Sequence, residues 1–272
     1  MTRFLLLFLL PLLAGGGTIA IENDGFRATF ADPSDETLGF RFFRAGWVRG
    51  LYPAAGETSL FHTRTLFDYH PAFGCAQEFL PDLPLASGDR LKPGVGIFRL
   101  HPKDYFRSRP VRSFPWEWSI RDRSLIAHQS CPELEGYAYE LSITVTVGKN
   151  MLVWKQQLTN TGTRRIDGQV YLHPFFATRD GFAGWWYSLD GTPHSVADAP
   201  ESQSVENGQA QAAAGTDQFT VNITSCPPFR RRDFWRNQSN AFAVEPYIPV
   251  SLAPGETRIW KWFLALTRFQ KQ

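Results

Sequence analysis

Leu141-Ser-Ile-Thr-Val-Thr-Val147, the turn Gly148-Lys149-Asn150 and Met151-Leu-Val-Trp-Lys-Gln-Gln-Leu158 decide the fold of this chain. The first run alternates apolar and polar residues and is rich in β-branched side chains, the pattern of a half-buried strand. The turn sends the chain back along itself, so the two runs form a hairpin. Asn160-Thr161-Gly162 turns again into a strand from about Ile166 to Phe176. Downstream, Phe219 to Thr224 alternates in the same way, and Leu252-Ala-Pro-Gly-Glu256 launches an apolar strand from Thr257 to Thr267. Upstream, Phe26 to Phe30 and Gly39 to Leu51 also read as strands. Asp198 to Gly215, rich in Ala, Gln, Ser and Glu, reads as a loop or a short frayed helix. No segment carries a sustained helical stripe, and strand patterns continue in one style throughout. The expectation is an all-β sandwich or barrel in one domain, residues 21–272.

Composition narrows the function. The 9 Trp, 8 Tyr and 23 Phe supply ample core, and 28 basic against 26 acidic residues give no field for nucleic acid. The local run Arg230-Arg231-Arg232 reads first as a solvated loop, and second as a site for an anionic sugar or phosphate. Arg3 followed by the ten-residue apolar run Phe4 to Leu13 and small residues up to Ala20 reads as a secretory signal, residues 1–20, cleaved near Gly16 or Ala20. The run is too short for a membrane span, and nothing later is apolar enough for one. We therefore expect a secreted protein, periplasmic in a bacterium. Cys75, Cys131 and Cys226 are odd in number; export permits one disulfide and one free thiol, and no spacing selects a pair. Nothing selects an oligomeric state.

The chemistry-bearing phrases are Tyr171-Leu-His173-Pro-Phe175-Phe176 and Phe242-Ala-Val-Glu245-Pro-Tyr247. Each places a proton-transfer group at a strand end before a proline and aromatic residues. An imidazole titrates near neutral pH, and a half-buried carboxylate has a raised pKa, so the two suit acid/base work. The prolines are expected to stop both strands, leaving His173 and Glu245 at a rim. Phe175 would floor a sugar site. Trp185 and Trp186, in a Gly-flanked stretch, are candidate stacking platforms, whereas Trp116 and Trp118 read as core. The stretch Phe61 to Glu78 gathers His62, Arg64, Asp68, His70 and Glu78, but with no spacing that selects a metal geometry. We expect neither metal nor cofactor.

Taken in order, Leu158-Thr-Asn-Thr-Gly162, His173-Pro-Phe-Phe176, Glu245-Pro246 and Leu252-Ala-Pro-Gly-Glu256 resemble the galactose mutarotase-like (aldose 1-epimerase) superfamily. The resemblance covers residues 140 to 267 well and residues 25 to 120 loosely. It implies a β-supersandwich with an open sugar-binding cleft. It also implies that Glu245 takes the proton of the anomeric hydroxyl while His173 protonates the ring oxygen. Tyr247, beside Glu245, would contact the sugar. Relatives carry His-Gly-Phe-Ala-Arg, whose His helps hold the substrate; the match here is Val95-Gly-Ile-Phe-Arg99. Val95 then stands where that His would be, Arg99 keeps the Arg, and His101, on the strand face of Arg99, reads either as the substitute for the His or as an exposed histidine. Three functions follow as expectations: an aldose 1-epimerase-like isomerase, a non-catalytic carbohydrate-binding module, or an accessory protein of periplasmic glycan metabolism.

Overall fold

The computed structural model describes residues 18–23, 26–53, 58–66, 71–178, 181–207, 211–238 and 240–269. Residues 1–17 of the expected signal, with Asp68 and His70, lie outside the described residues. The first sheet takes β1 (Thr18–Glu22), β2 (Phe26–Ala31), β3 (Val48–Pro53), β4 (Cys75–Leu80), β13 (Ile166–Pro174), β21 (Ala241–Leu252), β20 (Arg231–Arg236) and β17 (Ser202–Glu206) in that order. The short β14 (Phe176–Ala177) is added on β21. The second runs β16 (His194–Ser195), β15 (Trp186–Ser188), β18 (Gln211–Gly215), β19 (Phe219–Cys226), β22 (Thr257–Arg268), β12 (Met151–Asn160), β11 (Tyr137–Val147), β10 (Ser124–Leu134) and β9 (Glu117–Arg121). A small sheet of β5 (Leu83–Pro84), β6 (Arg90–Lys92), β7 (Gly96–Arg99) and β8 (Arg109–Ser113) stands beside them. This is the expected all-β sandwich.

Period-2 alternation assigns the faces. On β13, Val170 and Leu172 join the main core; on β21 the core residues are Phe242, Val244, Ile248 and Val250. They meet Leu141, Ile143 and Val145 of β11 and Trp260, Trp262 and Leu264 of β22, all buried in that cluster. The buried Gln77 of β4 points inward as well and accepts from Trp262 Nε1 at 2.9 Å. The intervening residues therefore stand on the opposite face of the first sheet, turned away from the second. That outer face carries the site.

Two sequence expectations need correction. Asp198 to Gly215 contains two strands, β17 and β18, not a loop or helix. Its Ala212, Ala213 and Ala214 are buried, and a Cβ on Gly215 would lie 2.4 Å from the Phe219 carbonyl oxygen. Close approach thus requires a glycine at 215, and the run of small residues hides the strand signal. Conversely, Gly39 to Leu51 becomes a strand only from Val48; the aromatic stretch before it is a turn-rich wall of buried rings, Phe40, Phe42 and Phe43. All three cysteines are free, Cys75 and Cys131 buried and Cys226 exposed.

Candidate functional site

Register builds the site. Across β4, β13, β21 and β20, Glu78 pairs with Tyr171, Tyr171 with Tyr247 and Tyr247 with Arg231, making one cross-strand row on the outer face. Two residues along, Ala76 is opposite His173, and Glu245 is opposite Asp233. Beyond that, Trp235 is opposite Ala243, near Phe175. Pairing of β13 with β21 runs as far as Tyr171–Tyr247 and resumes only where β14 pairs Phe176 with Phe242. His173 and Glu245 occupy the interval. Pro174 and Pro246 flank it, and neither has an N–H to give to a ladder. The rim expectation is therefore corrected: β21 continues through Pro246, and the prolines interrupt the pairing between strands instead of ending both.

In that interval His173 Nε2 lies 3.2 Å from Glu245 Oε1, both side chains being buried. The imidazole stacks on Phe175 with ring centroids 3.8 Å apart, and Phe42 and Trp235 meet it edge-on. Glu245 Oε2 accepts from the Tyr247 hydroxyl at 3.0 Å. Burial raises the Glu245 carboxyl to about 7, against the opposing pull of the Arg41 guanidinium. A carboxyl raised so far can exchange a proton near neutral pH.

Around the pair is an open pocket of about 550 Å³, lined also by Arg41, Phe106, Tyr171, Phe175, Asp233, Trp235 and Tyr247, with Ser202, Gln203 and Ser204 from the edge strand. Its charges are paired. Arg41 Nε meets Glu78 Oε2 at 3.0 Å and its Nη2 reaches the Tyr171 hydroxyl at 3.2 Å. Arg231 grips Asp233 with two hydrogen bonds, 2.9 and 2.5 Å. Below the floor, the fully buried Lys92 holds Glu78 at 2.6 Å and Asp82 at 3.1 Å.

Of the residues expected from sequence, the fold brings His173, Glu245, Phe175 and Tyr247 into this pocket and leaves four outside it. Arg99 and His101 lie in and after β7 of the small sheet, and the exposed Arg99 pairs with Asp89 at 2.8 Å. Trp185 lines a separate hollow of about 720 Å³, packed edge-on against Phe219 and Phe242. Trp186 pairs with Ser195 and Gly215 within the second sheet. The Phe61 to Glu78 group is divided too: His62 Nε2 sits 2.7 Å from the Asn240 carbonyl, while Glu78 joins Lys92 and Arg41. The stretch beside His173 in the first sheet is Phe73-Gly74-Cys75-Ala76-Gln77, which runs into β4. Phe73 stacks on Trp47, 4.9 Å between centroids. Sequence reasoning missed Arg41, Tyr171, Asp233 and Trp235. For the last three the signal existed: each is two residues along its strand from a recognised site residue or its cross-strand partner.

No protein-family model matches the chain, and no curated protein matches it either. Solved structures do. A provisionally named aldose 1-epimerase of Escherichia coli K12 superposes with a TM-score of 0.65 at 14% identity, over 94% of this chain and 100% of that one. A galactose mutarotase-like protein of Lactobacillus casei ATCC 334 gives 0.62 at 14% identity, covering 92% and 100%. The chain has the galactose mutarotase-like fold. A galactose 1-epimerase of Lactobacillus acidophilus NCFM shares the same fold at 10% identity, with a TM-score of 0.58 over 93% of this chain and 95% of that one. In this galactose mutarotase-like sandwich, the pocket lies on the outer face of the first sheet, where β13 and β21 part.

Proposed function

We propose that the protein is a carbohydrate-active isomerase of the aldose 1-epimerase kind. The reaction needs a base for the anomeric hydroxyl and an acid for the ring oxygen. Both oxygens are bonded to the same carbon, so acid and base must work within a few ångströms of each other. The observation that carries the reading is the His173–Glu245 contact at 3.2 Å, inside a pocket wide enough for a sugar. Glu245 takes the proton of the anomeric hydroxyl, the C1–oxygen bond of the ring breaks as the aldehyde carbonyl forms, and His173 delivers a proton to the departing ring oxygen. The open-chain aldehyde turns about C1–C2, and the reverse transfers close the ring as the other anomer. A carboxyl near 7 is matched to such proton transfer at neutral pH. The Arg41 guanidinium lines the pocket beside the pair, and the half-buried Trp235 offers an apolar face.

The test is anomer interconversion, followed by exchange spectroscopy across a panel of aldoses. The rate should exceed the spontaneous one and fall about 10²–10⁴-fold in Glu245→Gln. A rate no higher than the spontaneous one with every aldose rejects the enzyme. Sugar binding that survives both Glu245→Gln and His173→Ala, without turnover, identifies a binding module instead.

We further propose that the protein works after export, on the strength of Arg3 and the Phe4 to Leu13 run. Because β1 begins at Thr18, cleavage near Gly16 leaves that strand whole, whereas cleavage after Ala20 removes its first half. Mass spectrometry of the N-terminus of exported protein distinguishes the two.

A further inference from the structure

Neighbouring strands on both sides of Tyr247 converge on its ring. Tyr171 of β13 stacks on it at 4.7 Å and 14° between planes, and the Arg231 guanidinium of β20 lies 4.7 Å from its centroid. Tyr171 is itself hydrogen-bonded to Glu78, and Arg231 to Asp233. The ring is therefore fixed by a row of interactions that spans the sheet. Its hydroxyl donates to Glu245 Oε2 at 3.0 Å, while Oε1 faces His173. We propose that Tyr247 is a positioning residue whose phenol aims the Glu245 carboxyl at His173 and governs how readily that carboxyl gives up its proton.

The assignment rests on the acid/base reading of Glu245. Burial is what raises the carboxyl, and the Tyr247 hydrogen bond pulls against it by favouring the ionised form. The phenol is itself pushed far above its ordinary value, by burial first and by Glu245 next, so it remains a donor. The other groups facing Glu245 are accounted for: Arg41 and Glu78 are paired with each other, and Asp233 is held by Arg231 and Ser204. Among these groups, Tyr247 alone can be removed as a donor without stranding a charge.

Carboxyl-carbon magnetic resonance of Glu245 and the pH profile of kcat/KM should move together. In Tyr247→Phe, loss of the donor should raise the Glu245 midpoint and the acidic limb by about one pH unit. A ring-fluorinated tyrosine at the same position, with a more acidic phenol, should move both the other way; it keeps the ring and the hydroxyl, so it reports even if Tyr247→Phe does not fold. A midpoint that stays fixed in both folded proteins overturns the assignment and leaves the acid/base reading intact. Midpoints that move as expected in a protein without anomer interconversion support the assignment and sink the reading instead.

Discussion

Glu78 and Glu245 are both buried carboxylates on one face of one sheet, flanking β13, and their protonation behaves in opposite ways. Burial pushes each toward the neutral acid. At Glu78 the Lys92 ammonium and the Arg41 guanidinium outweigh burial and hold the carboxyl below its usual range. At Glu245 no lysine or arginine among the described residues is in contact, burial wins, and the carboxyl rises to about 7. Direct contact with a permanent cation is thus what separates a structural carboxylate from one that can exchange a proton near neutrality. Two titratable groups with environments that push them apart are the mark of an acid/base site. Here the division also separates floor from chemistry, because Glu78 anchors Arg41 and Tyr171 beneath the pair that reacts.

Removing the cation breaks the comparison most sharply. Lys92→Met leaves Glu78 and Asp82 buried near one another without the ammonium between them, and should destabilise the fold by about 3–5 kcal/mol. Denaturant unfolding at neutral pH measures this. The pH dependence should weaken as well. In the native protein Glu78 is held low, so its contribution is present above its unfolded value of 4.5 and is lost as pH falls through the lower folded value. In Lys92→Met, of the two cations only Arg41 still opposes burial, so the Glu78 carboxyl should rise and the stability it adds above 4.5 should shrink. A variant with unchanged stability and slope would show that the Lys92 contact does not set the difference.

The converse change tests the other carboxylate. Unfolded Glu245 loses its proton near 4.5, whereas folded Glu245 keeps it to about 7. The folded state binds more protons in that window, so the native protein loses stability as pH rises from 4.5 to 7 and holds a constant deficit above. Glu245→Gln removes the titration, and should unfold later than the native protein at pH 8 by roughly 1–3 kcal/mol, with no difference at pH 4. Gaining stability while losing activity is the expected behaviour of a site residue held in an unfavourable environment. Thermal melts at the two pH values decide it.

Much of the fold is legible in the sequence because alternation is local. The hairpin from Leu141 to Leu158 and the strand from Thr257 can be read residue by residue, since each buried position alternates with a solvated one. β18 is not legible: its Ala212, Ala213 and Ala214 are buried, a Cβ on Gly215 would lie 2.4 Å from the Phe219 carbonyl oxygen, and the β-branched signal is absent. His173 and Glu245 stand out for their proline-aromatic phrases. Arg41, Glu78 and Lys92 do not, because what brings them together is contact across strands far apart in sequence. Arg99, expected at the site, lies on β7 of the small sheet and pairs with Asp89. Only the register on either side of β13 reveals which stretch adjoins His173.

The two tryptophans sharpen the comparison at its smallest scale. The Gly-flanked sequence context favours Trp185 as a sugar platform and is silent on Trp235. Gly181 and Gly184 do have positive φ, but the turn they make directs Trp185 against Phe176, Phe219 and Phe242 and away from His173. Trp235 lies across the sheet from Ala243, where a small neighbour leaves its ring half-buried with 6.2 Å between its centroid and that of His173. If a sugar occupies the His173–Glu245 pocket, Trp235→Ala should raise its Kd or KM about tenfold, because that loss is worth about 1.4 kcal/mol of apolar contact. Trp185→Ala should lower the melting temperature and leave the sugar affinity of the remaining folded protein near the native value. Removal of Arg99 should leave it there too, since its guanidinium engages Asp89 at the surface of another sheet. The reverse result, affinity lost with Trp185 and kept without Trp235, would move the sugar to the hollow around Trp185. The buried carboxyl at about 7 would then be a feature of packing and not of catalysis.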